Sequence, residues 1–396
     1  MNHTADRTKA NIKIIFALTL VHFTGDFYAS FIHPLLPVFA ERYSLTLTQV
    51  GLITGISRLL AFVVQPSVGY VADRFRTRLF VLGGLTLAVV FIPLVGIAPY
   101  FWVLIIFVSL GSIGSSMYHP PCAGMVSTYA GGHFGFSMSV FILGGTLAFG
   151  VGPIFITCFV QFYHLGASPF TMIFGVAVMA YLFKVLPLPG GGEGLRNLGF
   201  LGALKETFGS VWKSIVLIWI VMVLRSFTGQ SFLTFVPVLY AKEGHSLVSI
   251  GMIVSLFTVG GAISGLLAGH LSDKVGYKPV FFVAHAMSAP SLCLLLFLPG
   301  GWVYVGSFFA GFFVLATLPL GVAMAQELAP LGRSMVSSLM MGLAFGTGGM
   351  MTPLSGKLAD IFSIRPVLAF LALIPLLTTA LIAFFPGEKT KTKGTK

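Results

Sequence analysis

The chain has 396 residues, of which 56% are hydrophobic and only 9% charged; a soluble domain carries about 25% charged residues. So few charges cannot coat a water-soluble globule of this length, and lipid is the expected solvent for most of the chain. The formal net charge of +12 does not indicate nucleic acid, because the cations fall in short loops and at the termini rather than on one amphipathic face.

Apolar runs of about 20 residues, parted by charged or turn-rich breaks, predict twelve transmembrane helices. They cover 12–39, 46–71, 79–98, 101–128, 135–160, 169–187, 212–240, 247–271, 279–298, 301–326, 335–356 and 366–386. The first run is too long for a signal peptide and has no small-residue cleavage site behind it, so it is expected to stay as the first span. It carries His22 and Asp26, four residues apart and therefore on one helical face, with Asp26 near the middle. An ionisable group at the bilayer centre costs about 2.5–3.5 kcal/mol, so each one needs a reason. Here the reason is either proton handling by the pair or a structural hydrogen bond to a neighbouring span. His33, followed by Pro34 at the outer end, reads as a capping or gating residue.

The second span holds Arg58 and ends in the loop Gly69-Tyr70-Val71-Ala72-Asp73-Arg74, with Arg76 and Arg78 behind it. The fourth holds Tyr118 and His119, followed by Pro120 and Pro121. Two prolines free backbone carbonyls and are expected to kink that helix, which is acceptable only beside a cavity or buried protein. His119 is then either a substrate or proton ligand or a packed neutral histidine. In the fifth span, Gly144-Gly145 and Gly150-x-Gly152-Pro153 form a small-residue face with a bend, and close helix packing explains most of it.

The stretch 190–211 opens with Gly190-Gly191-Gly192 and reads as a flexible cytoplasmic linker between a first half, 1–189, and a second half, 212–396. The second half ends in a short Lys-rich tail. Its first span carries Arg225 and Gln230. A guanidinium stays charged at any working pH and must meet an anion, a carbonyl or water. Arg58 and Arg225 therefore either face the cleft and grip an anionic substrate or make internal ion pairs, for example with Asp26. After the eighth span, Gly269-His270-Leu271-Ser272-Asp273-Lys274 repeats the earlier loop 200 residues on. His285 in the ninth span reads as structural, and Glu327 at the end of the tenth is placed to pair with Arg333.

Most loop cations fall on the side of the termini; only Arg42, Lys242, Lys357 and Arg365 fall on the other. The positive-inside rule then puts both termini in the cytoplasm. Cys122, Cys158 and Cys293 sit in apolar runs without a CxxC pair, so neither a disulfide framework nor a metal set is expected. No cofactor is expected, and no nucleophile–base arrangement suggests an enzyme.

The frame Gly-x-x-x-Asp-(Arg/Lys), occurring twice in a twelve-span chain, resembles the signature loop of the major facilitator superfamily. Three segments resemble its fosmidomycin-resistance branch: Val21-His22-Phe23-Thr24-Gly25-Asp26 running on to Gln65-Pro66-Ser67-Val68-Gly69-Tyr70; Gly114-Ser115-Ser116-Met117-Tyr118-His119-Pro120; and Ala325-Gln326-Glu327-Leu328 with Gly342-Leu343-Ala344-Phe345-Gly346-Thr347-Gly348-Gly349. That resemblance implies an all-α membrane protein of two pseudo-symmetric six-helix bundles, working by alternating access around a midplane site. It implies proton-driven export of drugs, including a phosphonate antibiotic. The chain departs from the branch where Thr24-Gly25-Asp26 replaces His-Asn-Asp and where Pro121 replaces the glutamate of His-Pro-Glu.

The expectations are therefore these. Asp26, His22 and His119 couple protons. Arg58, His119, Arg225, Gln230, Tyr28 and Tyr118 bind substrate. Asp73, Arg74, Asp273, Lys274, Glu327 and Arg333 gate. The protein is a monomer in the inner membrane whose partners are protons, lipid and a small anionic or amphiphilic solute that it exports. The rivals are proton-linked uptake of an organic anion and a membrane scaffold or receptor that moves no solute.

Overall fold

The computed structural model describes residues 10–72, 78–131, 133–188, 209, 211–329, 336 and 339–386. These described residues form twelve helical rods and no strand. The first six are α1 (Ile12–Arg42), α2 (Leu47–Ala72), α3 (Leu79–Ile97), α4 (Phe101–Tyr129), α5 (Phe134–Tyr163) and α6 (Leu165–Val185). The second six are α7 (Trp212–Lys242), α8 (Leu247–Val275), α9 (Tyr277–Phe297), α10 (Trp302–Leu328), α11 (339–362) and α12 (Ile364–Ile382). All but α11 are long and apolar enough to cross a membrane by themselves. A helix in lipid must satisfy its backbone internally. Rods α1, α3, α10 and α12 carry short irregular stretches of their own, and the most divided rod is α11. It is a π turn (Leu339–Ala344) followed by two short helices, Phe345–Met350 and Thr352–Phe362.

The sequence boundaries need two corrections. The eleventh rod continues past 356 to Phe362, because Lys357 and Asp360 sit beyond the apolar stretch on a helix end that another helix uses. The fourth rod runs through Pro120 and Pro121 without a break in its helical assignment. The expected linker at 190–211 lies almost wholly outside the described residues.

The two halves repeat with an offset of about 200 residues: α1 with α7, α2 with α8, and so on through α6 with α12. The repeat reaches individual contacts. Thr46 and Gln49 form a reciprocal capping box at the start of α2 (Thr46 N to Gln49 Oε1 2.9 Å, Gln49 N to Thr46 Oγ1 3.2 Å). Ser246 caps α8 in the same place through Ser249 N at 3.2 Å. Lipid-facing surface is just as regular: Leu143, Leu147, Val151 and Phe155 are exposed on α5 at four-residue spacing, one outward stripe.

The halves meet along two seams; the first, α2 on α11, runs from Gly51 against Thr352 to Phe62 against Gly346 and Pro66 against Gly342. On one seam, α2 packs on α11, where a Cβ at Gly51 would lie 2.6 Å from the Thr352 carbonyl oxygen. On the other, α8 packs on α5, where a Cβ at Gly251 would lie 2.8 Å from the Pro153 carbonyl oxygen. Only glycine allows either approach. Hydroxyls stitch both seams: Thr352 Oγ1 donates to Gly51 O (2.9 Å) and Thr258 Oγ1 to Phe149 O (2.8 Å), while Thr234 Oγ1 on α7 donates to Thr54 Oγ1 on α2 (3.0 Å) beside the first. Ser255 Oγ donates to Gly150 O. Buried apolar side chains follow the same division. One cluster runs through the first half and across into the remote ends of the second-half helices, while the terminal-side ends of the second half form a separate cluster.

Candidate functional site

The first half concentrates its ionisable groups at one point. Asp26 on α1 is 5% exposed. His22 Nε2, one turn earlier, lies 3.2 Å from its Oδ2, and His119 Nε2 on α4 lies 3.3 Å from its Oδ1. Tyr118 Oη donates to Oδ1 at 2.7 Å. Helical spacing accounts for the first contact, since residues i and i+4 share a face. Packing of α4 on α1 accounts for the other two.

The far side of each imidazole is also fixed. His22 Nδ1 lies 2.8 Å from the Phe141 carbonyl oxygen on α5, and His119 Nδ1 lies 2.6 Å from the Ser115 carbonyl oxygen one turn back on α4. A carbonyl only accepts, so both Nδ1 atoms carry the hydrogen. In the neutral rings both Nε2 atoms then point a lone pair at the Asp26 carboxylate. The His22 ring stacks on Phe141 at 4.3 Å between centroids. A Cβ on Gly145 would lie 2.5 Å from His22 Nε2 and 2.7 Å from Asp26 Oδ2, so α5 approaches the cluster only because that position is glycine. The glycine pair in the fifth span is therefore more than a general packing face.

The two arginines occupy different places. Arg58 on α2 is half-buried and donates through Nε to Gln230 Oε1 on α7 at 3.2 Å, a bond between the halves. It is within electrostatic range of Asp26 without touching it. Arg225 on α7 is 5% exposed. Its Nη1 donates to Val314 O at 3.1 Å, its guanidinium lies 5.0 Å over the Phe345 ring, and its Nε has no hydrogen-bond partner among the described residues. Neither guanidinium pairs with Asp26, so the internal ion pair weighed from the sequence is not what holds them.

Other sequence candidates are accounted for locally. Tyr28 is fully buried against α6; its Oη donates to Thr171 O at 2.5 Å and accepts from Gly175 N at 3.0 Å. Its hydroxyl joins α1 to α6 and is not turned toward the cluster. His285 spends both ring nitrogens on threonines, Thr378 at 2.6 Å and Thr317 at 3.1 Å, which is the structural role expected of it. Glu327 accepts from Tyr277 Oη at 2.9 Å. Its expected partner Arg333 lies outside the described residues, as do Asp73 and Arg74. Asp273 and Lys274 are exposed on the last turn of α8.

Asp360 carries a role that the sequence reading missed. It lies beyond the membrane-spanning stretch of α11, and its carboxylate caps the N-terminus of α2 in the other half. Leu47 N donates to Oδ1 at 2.7 Å, while Thr48 N and Thr48 Oγ1 donate to Oδ2 at 3.0 and 2.6 Å. Anions are favoured at a helix N-terminus by its unpaired N–H groups. Partial burial pushes the Asp360 carboxyl up, but the bonds from Thr48 and Leu47, with Lys357 nearby, outweigh it and hold the group below the ordinary carboxylate value. The signal available was an acidic residue at a span end, although Lys357 three residues earlier offers it an ordinary helical ion pair.

Comparison with known proteins places this geometry in a family. The sequence profile of the Major Facilitator Superfamily matches residues 16–252 and 218–396. The chain is similar to the fosmidomycin resistance protein of Escherichia coli (strain K12), with 27% identity over 394 residues, covering 98% of this chain and 96% of that one. It is also 27% identical over 379 residues to an uncharacterized MFS-type transporter, YfnC, of Bacillus subtilis (strain 168), covering 92% and 90%. Among solved structures, a bacterial homologue of the human lysosomal transporter Spinster superposes with a TM-score of 0.80 at 15% identity, covering 93% of this chain and 95% of that one; at that identity the likeness concerns the fold.

Proposed function

Because the chain belongs to the Major Facilitator Superfamily, we infer that it is a proton-coupled exporter of a small anionic or amphiphilic compound, working by alternating access. The observation that carries the coupling is the Asp26 carboxylate held between two imidazole Nε2 lone pairs. Three acceptors facing one another repel until a proton enters between them. With one proton on either Nε2, the contact becomes a charge-assisted hydrogen bond. The cluster is thus built to gain and lose protons, and its members come from α1 and α4, which shift with the first half.

Substrate chemistry is inferred from the opposite side. Arg225 is a buried cation whose described contacts are a carbonyl and an aromatic face, and its Nε is unspent. Among the described residues Arg58 hydrogen-bonds to the neutral Gln230. Two guanidiniums with no carboxylate in hydrogen-bond contact among the described residues suit an anion that takes bidentate bonds, such as a phosphonate or carboxylate. The similar Escherichia coli protein is named for resistance to fosmidomycin, which supports an exported drug-like solute.

The seams supply the access cycle. With the termini in the cytoplasm, as the positive-inside rule indicates, the α2–α11 and α5–α8 seams join the outer parts of the two halves, and alternating access requires them to part. A proton or substrate shifts the balance only by binding one state more tightly than the other.

The test is proton flux in proteoliposomes loaded with candidate organic anions. Substrate-dependent flux is expected, and Asp26→Asn should abolish it while leaving substrate binding measurable. Undiminished coupling in that variant would remove Asp26 from the mechanism.

A further inference from the structure

We propose that His22, Asp26 and His119 form a three-ligand binding site for a divalent transition-metal ion, Zn2+ in particular. The proposal rests on the same cluster as the coupling mechanism above, but not on transport itself. It reverses the expectation from the cysteines that no metal set is present, since the donors are two histidines and a carboxylate gathered from two helices.

Four features of the cluster support it. First, the donor atoms converge: one atom from each residue lies within 4.8 Å of the other two. Zn–N and Zn–O bonds of about 2.0–2.1 Å place neighbouring tetrahedral ligands about 3.3 Å apart. His22 Nε2 lies 3.2 Å from Oδ2 and His119 Nε2 3.3 Å from Oδ1, so each imidazole stands near that edge from one carboxylate oxygen, and a small turn of the carboxylate brings one oxygen to both. Second, the tautomers are set correctly. A metal-ligating histidine normally donates its other ring N–H to a carbonyl or carboxylate, and here both Nδ1 atoms face backbone carbonyls, Phe141 O and Ser115 O. Third, the ring planes of His22 and His119 stand at 84°, so the two imidazoles approach from different directions, as separate vertices require. Fourth, the carboxylate has its own support, the Tyr118 hydroxyl on Oδ1.

The donor set selects the metal. Two imidazoles and one carboxylate suit Zn2+ and its neighbours in the first transition row, whereas Mg2+ and Ca2+ take all-oxygen sets. Three protein ligands leave one tetrahedral position open, which a water or an anionic solute would fill. A bound ion would occupy the lone pairs that otherwise receive protons, so metal and proton compete for one site.

The experiment uses the purified full-length protein, free of any polyhistidine tag, in detergent micelles. CoCl2 titration is followed by the visible absorption of tetrahedral Co2+, and ZnCl2 is then added. The expected result is one Co2+ per chain, displaced by Zn2+ and unaffected by millimolar Mg2+. His22→Gln and His119→Gln should each weaken binding roughly tenfold or more, while the exposed His133→Ala and His164→Ala leave it unchanged. Thermal melting of the unaltered protein gives a readout that needs no variant: Zn2+ should raise the melting temperature in a concentration-dependent way. Absence of both the Co2+ band and the melting shift would overturn the proposal. Binding that survives in the His22 and His119 variants and disappears in the surface variants would overturn it equally. Substrate-driven proton flux in a protein that binds no Co2+ would remove the metal site and leave the coupling reading standing. A Co2+ site in a protein without such flux would do the reverse.

Discussion

Replacing Asp360 with asparagine should loosen the α2–α11 seam by a calculable amount. The carboxylate receives three hydrogen bonds, from Leu47 N, Thr48 N and Thr48 Oγ1. Asparagine keeps one acceptor oxygen but turns the other site into a donor that faces the Thr48 N–H. Hydrogen bonds to a charged acceptor contribute about 1.5–3 kcal/mol each when protected, and a charge at a helix N-terminus adds about 0.3–1 kcal/mol. Asp360 is exposed, so water competes for all of these; about 1–2 kcal/mol in total is the reasonable sum after that discount. Lost from the closed state alone, this shifts the closed-to-open ratio roughly 5- to 30-fold. Spin labels at Trp102→Cys and Phe362→Cys, both exposed, with distances read by electron–electron double resonance, report the seam directly. The longer-distance population should grow in Asp360→Asn. The pH behaviour has a definite sign. The carboxyl of the latched state lies below its ordinary value, so the latch contributes fully above about pH 3.9 and is lost only as pH falls through that lower value. Between pH 8 and 5 the latch is constant, and any conformational shift in that window must persist in Asp360→Asn. An unchanged distance distribution in the variant, or a pH response near neutrality that vanishes with Asp360, would refute the reasoning.

Other outcomes follow from the same geometry. Gly145→Ala should drive a methyl group into His22 and Asp26 and abolish proton coupling, while Gly124→Ala, with open space at its Cβ, should transport normally; equal flux in both would mean that the cluster is not confined by α5. Tyr28→Phe removes the hydroxyl that ties Thr171 O and Gly175 N to α1 and should cost about 0.5–1.5 kcal/mol of stability, seen as a lower melting temperature with unaltered apparent substrate affinity. A changed affinity at unchanged stability would return Tyr28 to the substrate site. Arg225→Gln should raise the apparent KM for an anionic substrate about tenfold or more, the equivalent of one charge-assisted bond, with Arg225→Lys recovering only part of it; an unaltered KM in the glutamine variant would place the anion elsewhere.

The fold was largely legible because membrane physics leaves few options. Apolar runs had to be helices, and the 200-residue recurrence of the Gly-x-x-x-Asp frame announced two halves before any contact was known. His22 and Asp26 were legible too, since four residues along a helix is one face. His119 joined them only through packing of α4 on α1, a contact that spacing along the chain does not encode. Tyr28 misled because an aromatic near a polar position looks the same whether its hydroxyl serves a cleft or a neighbouring helix. Asp360 was invisible for the opposite reason. Two of its three partners are backbone N–H groups more than 300 residues earlier, and a backbone donor leaves no trace in the identity of the residue that bears it.

The recurrence that relates the halves is broken at one informative point. Pro153 and Pro353 occupy matching places on α5 and α11, yet the position corresponding to Asp360 is Val160. Both seams thus share hydroxyls and close-set glycines, and among the described residues the α2–α11 seam adds a carboxylate on a helix end. Ionic strength would then weigh on that seam more than on its counterpart.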